Sequence, residues 1–466
     1  VGAAAGASER PAAVALRAGP VENARFVLTQ VLPAFAKGIG ELRAPVVSAA
    51  VRLRQTDWAA ATLRALRSRY GGAPVLVRAL SGDVLLLLDP ADVRQFFAEP
   101  VERLALDAHD KVRALGVLEP NGVICSHGPL REARRAVNDR ALAAGRTVHP
   151  SCAPYLAVVD EECAPLTAGP RLDQATVQRA VERIGRRIVL GDRAAGDEEL
   201  HRRLRRLREE ANWLGLRKSR NRANERLYAA TAARLAEYAA DAPAHTLLGR
   251  ALAEPSAPEV DPVGQVPHWF FALDGVGTTV AQTLLLLAAH PAEQDAVRDE
   301  VRDAGREAGR DAAPDEGGGA GPGTRADSRL RACVQESLRL WPLVPALVRV
   351  TRAETTWRGV VHPAGTTVLV PAGFLQRDPA HVPAADLFVP GRWLTAGADH
   401  DTRTAPFSHG GGRCPGDQLG LLLTAAVCAR VLRDHRVGGV RPALDPHRPL
   451  PGAVEATAIQ LTLTPR

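Results

Sequence analysis

Cys414 lies in the stretch Phe407-Ser-His-Gly-Gly-Gly-Arg-Cys-Pro-Gly416, whose residue types suit metal chemistry. Four glycines there permit backbone torsions and close approaches that a Cβ would forbid. After Pro415 and Gly416, the run from Leu419 to Val427 has the composition and length of a buried helix. Cys414 therefore stands just before a helix N-terminus, where free N–H groups and the helix dipole favour thiolate over thiol. A thiolate held in a glycine-rich loop is suited to bind a soft metal centre from one side. An inert buried cysteine would fit the same loop, so the rest of the chain has to decide.

Two further constellations carry charge where charge is costly. Glu336-Ser-Leu-Arg339 puts an acid and a base three residues apart on one helix face. Leu338, Leu340 and Trp341 around them imply burial, and a buried pair needs further hydrogen bonds. Arg392, in Phe388-Val-Pro-Gly-Arg-Trp393, is placed to supply them. The second constellation is Asp274-Gly-Val-Gly-Thr-Thr279, expected to interrupt the longest apolar helix, Pro267 to Ala289. A carboxylate inside an apolar helix needs a partner. Asp274 precedes Thr278 by four residues and so shares its face, one turn earlier. For Thr278 itself the competing use is a hydroxyl bonded back to a helical carbonyl.

The elements that must position these residues are mostly helical. Helices are expected at Thr56–Tyr70, from Asp89, from Leu130, at Val177–Leu190, across Glu198–Glu237 and at Leu330–Trp341, the last stopped by Pro342. Strands are expected in a hairpin from Pro74 to Leu88, in short pieces between Pro345 and Pro390, and in the C-terminal tail. Residues 305–327, rich in Gly, Ala, Asp and Pro, read as a flexible excursion. The fold class is mainly α with a small β-rich lobe. Residues 1–55 are expected to be a partly flexible N-terminal extension, and 56–466 a single catalytic domain.

Composition sets outer limits. Charged residues are 24% and hydrophobic residues 46%, which excludes global disorder. The net charge of +7 is carried almost wholly by arginine, since Lys37, Lys111 and Lys218 are the only lysines. These arginines are dispersed and form no nucleic-acid module, so an acidic protein is the expected partner and nucleic acid is not. The six cysteines make no Cys-x-x-Cys pair, which fits reduced thiols in a cytoplasmic setting. With no readable signal peptide and no run of eighteen apolar residues, no membrane anchor is expected.

The spacing Phe407-x-x-Gly410-x-x-x-Cys414-x-Gly416 resembles the haem-binding loop of the cytochromes P-450, the haem-thiolate monooxygenases. The resemblance implies haem b (iron protoporphyrin IX) as cofactor and Cys414 as its axial iron ligand. It implies that Glu336, Arg339 and Arg392 form the family's structural cluster behind the loop. Arg349 resembles the family's propionate-binding arginine. Arg134 resembles the arginine of its Trp-x-x-x-Arg helix, with Leu130 in place of the tryptophan. The family usually has Arg or His two residues before the cysteine; here that position is Gly412, which leaves open which of His409 and Arg413, if either, reaches a propionate, and His409 is equally suited to cap the loop. Thr278 matches the threonine that serves bound dioxygen, but the acid that precedes it in the family is replaced by Gly277. Either water alone then relays the proton or Asp274 does so through a bridging water, and Asp274 is equally placed to bind a polar group of the substrate. The implied reaction inserts one atom of O2 into a small organic substrate, with electrons from NAD(P)H through a ferredoxin and its reductase. Arg413, Arg430, Arg433 and Arg436 would face that acidic ferredoxin. Two alternatives remain: a peroxide-using or oxidative-coupling enzyme of the same kind, and a haem sensor or electron-transfer protein without a substrate.

Overall fold

Asp89, Asp173, Asp197 and Ser328 each end a loop and start a helix. Their side-chain oxygens accept from the N–H groups of Ala91 (2.8 Å), Thr176 (2.8 Å), Leu200 (3.0 Å) and Arg331 (3.4 Å). The computed structural model describes residues 14–79, 82–214, 216–310 and 328–465. Its principal helices are α1 (Gln55–Arg69), α2 (Pro90–Ala98), α3 (Gly128–Leu142), α4 (Gln174–Leu190) and α5 (Glu198–Ala211). They are followed by α6 (Asn221–Ala239), α7 (Val266–Ala289), α8 (Pro291–Arg310), α9 (Arg329–Leu340) and α10 (Asp417–Asp434).

Apolar on almost every side, α7 can be stable only inside the molecule. It runs through the middle of the main core, with α4, α9 and α10 packed around it. Among the described residues it is the one helix long and apolar enough to cross a membrane, and it lies mostly buried in the fold. The expected interruption at 274–279 does not occur, and the helix is continuous. The glycines there serve close packing: a Cβ on Gly275 would lie 2.6 Å from Leu343 Cδ1, and one on Gly277 2.3 Å from Gln178 Oε1. Each glycine costs about 1 kcal/mol of helix propensity, and the approach of α4 and of the 342–345 turn requires it.

The strands are β1 (Leu16–Arg17), β2 (Val75–Arg78), β3 (Asp83–Leu86), β4 (Leu104–Ala105), β5 (Arg171–Asp173) and β6 (Leu347–Thr351). β7 (Thr355–Trp357), β8 (Val360–His362), β9 (Thr367–Val370), β10 (His435–Arg441) and β11 (Gln460–Pro465) complete the set. One sheet has the order β1-β2-β3-β9-β6-β4, a second β10-β11-β5, and β7 pairs with β8. The expected hairpin is β2–β3, antiparallel with Val75 opposite Leu86; its tip, 80–81, lies outside the described residues. Side chains alternate across the large sheet. Leu85 and Leu87 join Phe96 and Trp357 on one face, while Val84, Leu86 and Leu88 meet Leu63 and Leu66 on the other.

One sequence expectation is revised here. Helix α8 continues to Arg310, so the excursion does not begin at 305; residues 311–327 lie outside the described residues. Of the N-terminal extension expected over 1–55, residues 14–55 are folded onto the body, and 1–13 lie outside the described residues. β1 pairs with β2. Asn212, just past α5, accepts from the N–H groups of Ile39 (2.7 Å), Gly40 (2.8 Å) and Glu41 (3.2 Å) through one oxygen, and donates to Glu41 O at 2.7 Å.

Candidate functional site

The loop before α10 is closed by its own backbone, with Cys414 N donating to Phe407 O at 2.9 Å and Arg413 N to Gly410 O at 3.0 Å. Phe407 packs on the main core and anchors the start of the turn. Gly410 has φ +63°, and a Cβ there would lie 2.1 Å from Phe97 O, so no other residue fits. A Cβ on Gly412 would lie 2.7 Å from an Arg349 terminal nitrogen. The family's Arg or His at that position would have to displace that guanidinium. Gly416 sits at the cap of α10, with Leu142 3.7 Å from where its Cβ would be.

Cys414 is half-buried. Burial pushes its thiol up from the ordinary value, and the Gly416 N–H only partly offsets that. Asp417, in the first turn of α10, adds to the upward push, and a metal cation would supply the missing opposite charge.

Cations crowd behind the loop. Arg349 is buried, donates to Phe96 O (2.8 Å) and His409 O (3.2 Å), and lies 4.4 Å above the Phe96 ring. Burial, with Arg131 nearby, pulls its pKa down to about 10. Arg131 on α3 donates to Gly411 O at 3.1 Å, and its buried Nε has no hydrogen-bond partner. Burial first, then Arg135, also pull the Arg131 pKa down, more than Glu102, Glu132 and Asp107 offset. Arg135 reaches Arg413 O at 3.0 Å. Arg134 is committed elsewhere, to Ser126 Oγ (2.7 Å), Glu259 O (2.8 Å) and Val260 O (3.3 Å). Of the two propionate arginines expected from the sequence, Arg349 thus touches the loop, while Arg131 stands where Arg134 was expected. Neither Arg131 nor Arg135 stood out in the sequence, because three arginines within five residues of one helix carry no label of which faces the loop.

His409 is a loop brace: its Nε2 donates to Thr404 O at 3.2 Å and its ring meets Phe97 edge-on at 5.0 Å. Burial holds it below the ordinary histidine pKa. Arg413 turns to Asp417 at 2.8 Å and, more distantly, to Asp399 at 3.6 Å. The other arginines of the expected docking face also have acidic neighbours: Arg430 and Arg433 face Asp434 at 3.3 and 3.5 Å, and Arg436 faces Asp295 at 2.8 Å. That surface is locally balanced in charge.

On α7, His268, Phe271, Ala272, Asp274, Gly275 and Thr278 keep partial or full exposure while their neighbours are buried. Their spacing follows the helical repeat, so a single stripe of the helix borders open space. Thr279 donates back to Gly275 O at 2.9 Å, whereas no partner among the described residues holds the Thr278 hydroxyl. The back-bonding expected as the competing use of Thr278 is therefore found one residue on.

Asp274 has found a partner that the sequence did not indicate. Its Oδ2 lies 2.6 Å from Arg208 Nη2 on α5, and Arg208 Nε donates to Glu41 Oε2 at 2.8 Å. His201 of α5 and Glu182 of α4 complete the group, 3.2 Å apart. Burial pushes the Asp274 carboxyl up to about 6, against the pull of Arg208 and His201. Gly277 faces α4 and not the open stripe, so an acid placed there would meet Gln178. Gly277→Glu should cost about 1–3 kcal/mol of overpacking, seen as a lower melting temperature that Gln178→Ala partly restores. Equal melting of Gly277→Glu and the parent protein would show that Gln178 does not close that face.

The open stripe, the glycine-lined loop, the half-buried thiol and the under-compensated Arg131 and Arg349 fit a flat, dianionic metal cofactor. Residues 270–452 match the family model described as cytochrome P-450. Cytochrome P-450 4c3 of Drosophila melanogaster is 30% identical over 176 residues, 36% of this chain and 32% of that protein. Cyclooctat-9-en-7-ol 5-monooxygenase of Streptomyces melanosporofaciens is 38% identical over 124 residues, 26% of this chain and 25% of that protein. These alignments span a third or less of the curated relatives' own length. Among solved structures, the retinoic-acid-bound cyanobacterial CYP120A1 superposes with a TM-score of 0.65 at 17% identity, covering 86% of this chain and 93% of that one. That likeness extends the same fold across nearly the whole chain.

Proposed function

We propose that the chain is a member of the cytochrome P-450 family and a haem-dependent monooxygenase acting on a small organic substrate. The observation that carries this reading is the closed glycine loop that sets Cys414 at the start of α10. Haem b bound there supplies the activation of dioxygen and the transfer of one oxygen atom to a C–H or C=C bond. Arg349 and Arg131 are the cations available to its carboxylates, and Gly410 to Gly412 let the loop backbone approach its face. Thr278, whose hydroxyl no partner among the described residues holds, would be the donor on the open stripe. Asp274, one turn earlier, either passes a proton by way of water or holds a polar group of the substrate; its tie to Arg208 favours the second.

Electrons come, in this proposal, from NAD(P)H through a ferredoxin and its reductase in a bacterial cytoplasm. The similarity to the Streptomyces monooxygenase supports that setting. A peroxide-using or oxidative-coupling enzyme is the competing reading, since the acid nearest Thr278 on the helix, Asp274, is already tied to Arg208. Turnover separates them: the proposal requires product from O2 with ferredoxin and reductase, whereas product from peroxide alone, or coupling without oxygen insertion, supports the alternative. A protein that shows no ligand-induced spectral change with any compound would instead be a sensor or electron carrier. The ligand assignment has its own test. Cys414→His should abolish the red-shifted Soret band of the reduced, carbon-monoxide-bound protein. Retention of that band in Cys414→His, with its loss in another cysteine variant, would move the ligand elsewhere.

A further inference from the structure

Ten residues before Thr278, the open stripe of α7 begins at His268, and the side chains around it form a polar group that the oxygen chemistry does not use. Glu119 is completely buried. Its Oε1 lies 3.0 Å and its Oε2 2.8 Å from His268 Nδ1, so Nδ1 carries a proton and donates it to the carboxylate. Nε2 is thereby left free at the other side of a ring whose side chain is 34% exposed. Burial opposes charge on His268, but Glu119 more than offsets it, so the ring pKa is raised. Lys111, on the short helix His109–Leu115, lies within electrostatic reach of both residues. Burial pulls its ammonium down to about 8, and among the described residues no acid or acceptor pairs with it directly. Arg349 and the buried Asp107 lie within the same electrostatic reach of Lys111, so two carboxylates face three cationic groups and the local excess is a single positive charge.

The stripe between this group and Thr278 is Phe271, Ala272 and Gly275, which is apolar, with Asp274 on its edge and tied to Arg208. Ten residues of helix span about 15 Å. We propose that His268 and Lys111 bind the anionic head, a carboxylate, of an elongated amphiphilic substrate. Its apolar body lies along Phe271–Gly275 and places a carbon about 15 Å away beside Thr278. Glu119 is a positioning residue: it fixes the imidazole tautomer and orientation, so that Nε2 meets the head as a charged donor. The proposal rests on the monooxygenase reading only for what happens to the distal carbon, not for the binding itself.

Calorimetric titration of the haem-loaded protein with dodecanoate and with dodecanol tests it. The parent should prefer dodecanoate, and His268→Phe and Lys111→Gln should each weaken dodecanoate roughly tenfold while leaving dodecanol unchanged. His268→Gln, which keeps a neutral donor, should fall between, and it replaces His268→Phe if that variant does not fold. Equal affinity for both probes in the parent, or unchanged dodecanoate binding in the variants, would overturn the proposal. Loss of haem from the variants, with dodecanoate binding unaltered where haem remains, would assign the cations to a propionate and overturn it too. If the binding pattern holds but no electron source yields an oxygenated product, the monooxygenase reading fails and the head-group site stands.

Discussion

Glu336→Ala should leave the protein unable to hold its fold at ordinary temperature. Glu336 and Arg339 are both fully buried, and Arg339 meets the carboxylate with Nε and Nη2, each at 2.8 Å. The remaining donors of Arg339 go to Gln376 O (2.9 Å), Ala385 O (2.7 Å) and Leu387 O (3.0 Å), so the guanidinium is fully satisfied. The carboxylate also accepts from Val389 N (2.9 Å), Trp393 Nε1 (2.8 Å) and Arg392 Nε (3.2 Å). Its removal strands a buried cation, a backbone N–H and an indole N–H together. Breaking such a pair costs about 3–5 kcal/mol, a large part of the roughly 5–15 kcal/mol that keeps a domain folded. Apoprotein or aggregate is the expected product, with Glu336→Gln intermediate because the amide keeps one acceptor. A Glu336→Ala protein that loads haem and melts with the parent would show that the cluster is not structural.

That cluster also shows what a sequence can disclose. Glu336 and Arg339 were legible because i,i+3 spacing and apolar neighbours fix both their common face and their burial. Arg392 was legible by its order in the chain and its resemblance to the family. Val389 N and Trp393, which supply two further hydrogen bonds to the carboxylate, were not, since a backbone N–H and an indole become partners only once the 385–394 segment has folded back. The loop residues were equally legible, because glycine at φ +63° against Phe97 O is a local demand that only one residue type meets. Which face of α7 meets which neighbour was not. The replacement of the family acid by Gly277 read as a chemical loss, whereas in the fold that position packs on Gln178 of α4. Arg208 carries no signal in the sequence, lying 66 residues upstream of Asp274, its partner across two helices.

Asp274→Asn should change the shape of the stability–pH curve, and the direction follows from the raised pKa. The Asp274 carboxyl is raised from 3.8 to about 6 in the fold, by burial first, against the pull of Arg208 and His201. A group whose folded pKa lies above its unfolded value favours the fold while protonated in both states. That advantage is lost as pH rises through the window from about 4 to about 6. The loss is about 3 kcal/mol in all, of which roughly half falls between about pH 5 and about pH 8. Asparagine keeps the neutral shape at every pH, so the variant lacks this decline. Removing the carboxylate also takes a partner from Arg208, which keeps Glu41 at 2.8 Å. That cost shifts the whole curve without tilting it. The decisive quantity is therefore the difference in unfolding free energy between parent and variant, followed from about pH 5 to about pH 8. It should move by about 1–2 kcal/mol in favour of the variant. The charged groups around Asp274, namely Glu182, His201 and Glu41, are common to both proteins and largely cancel in that difference. Parallel curves would mean that Arg208 keeps Asp274 ionised throughout, with a carboxyl pKa near the unfolded value. The carboxylate would then be a permanent anion on the edge of the open stripe, unable to exchange protons with Thr278 at any working pH.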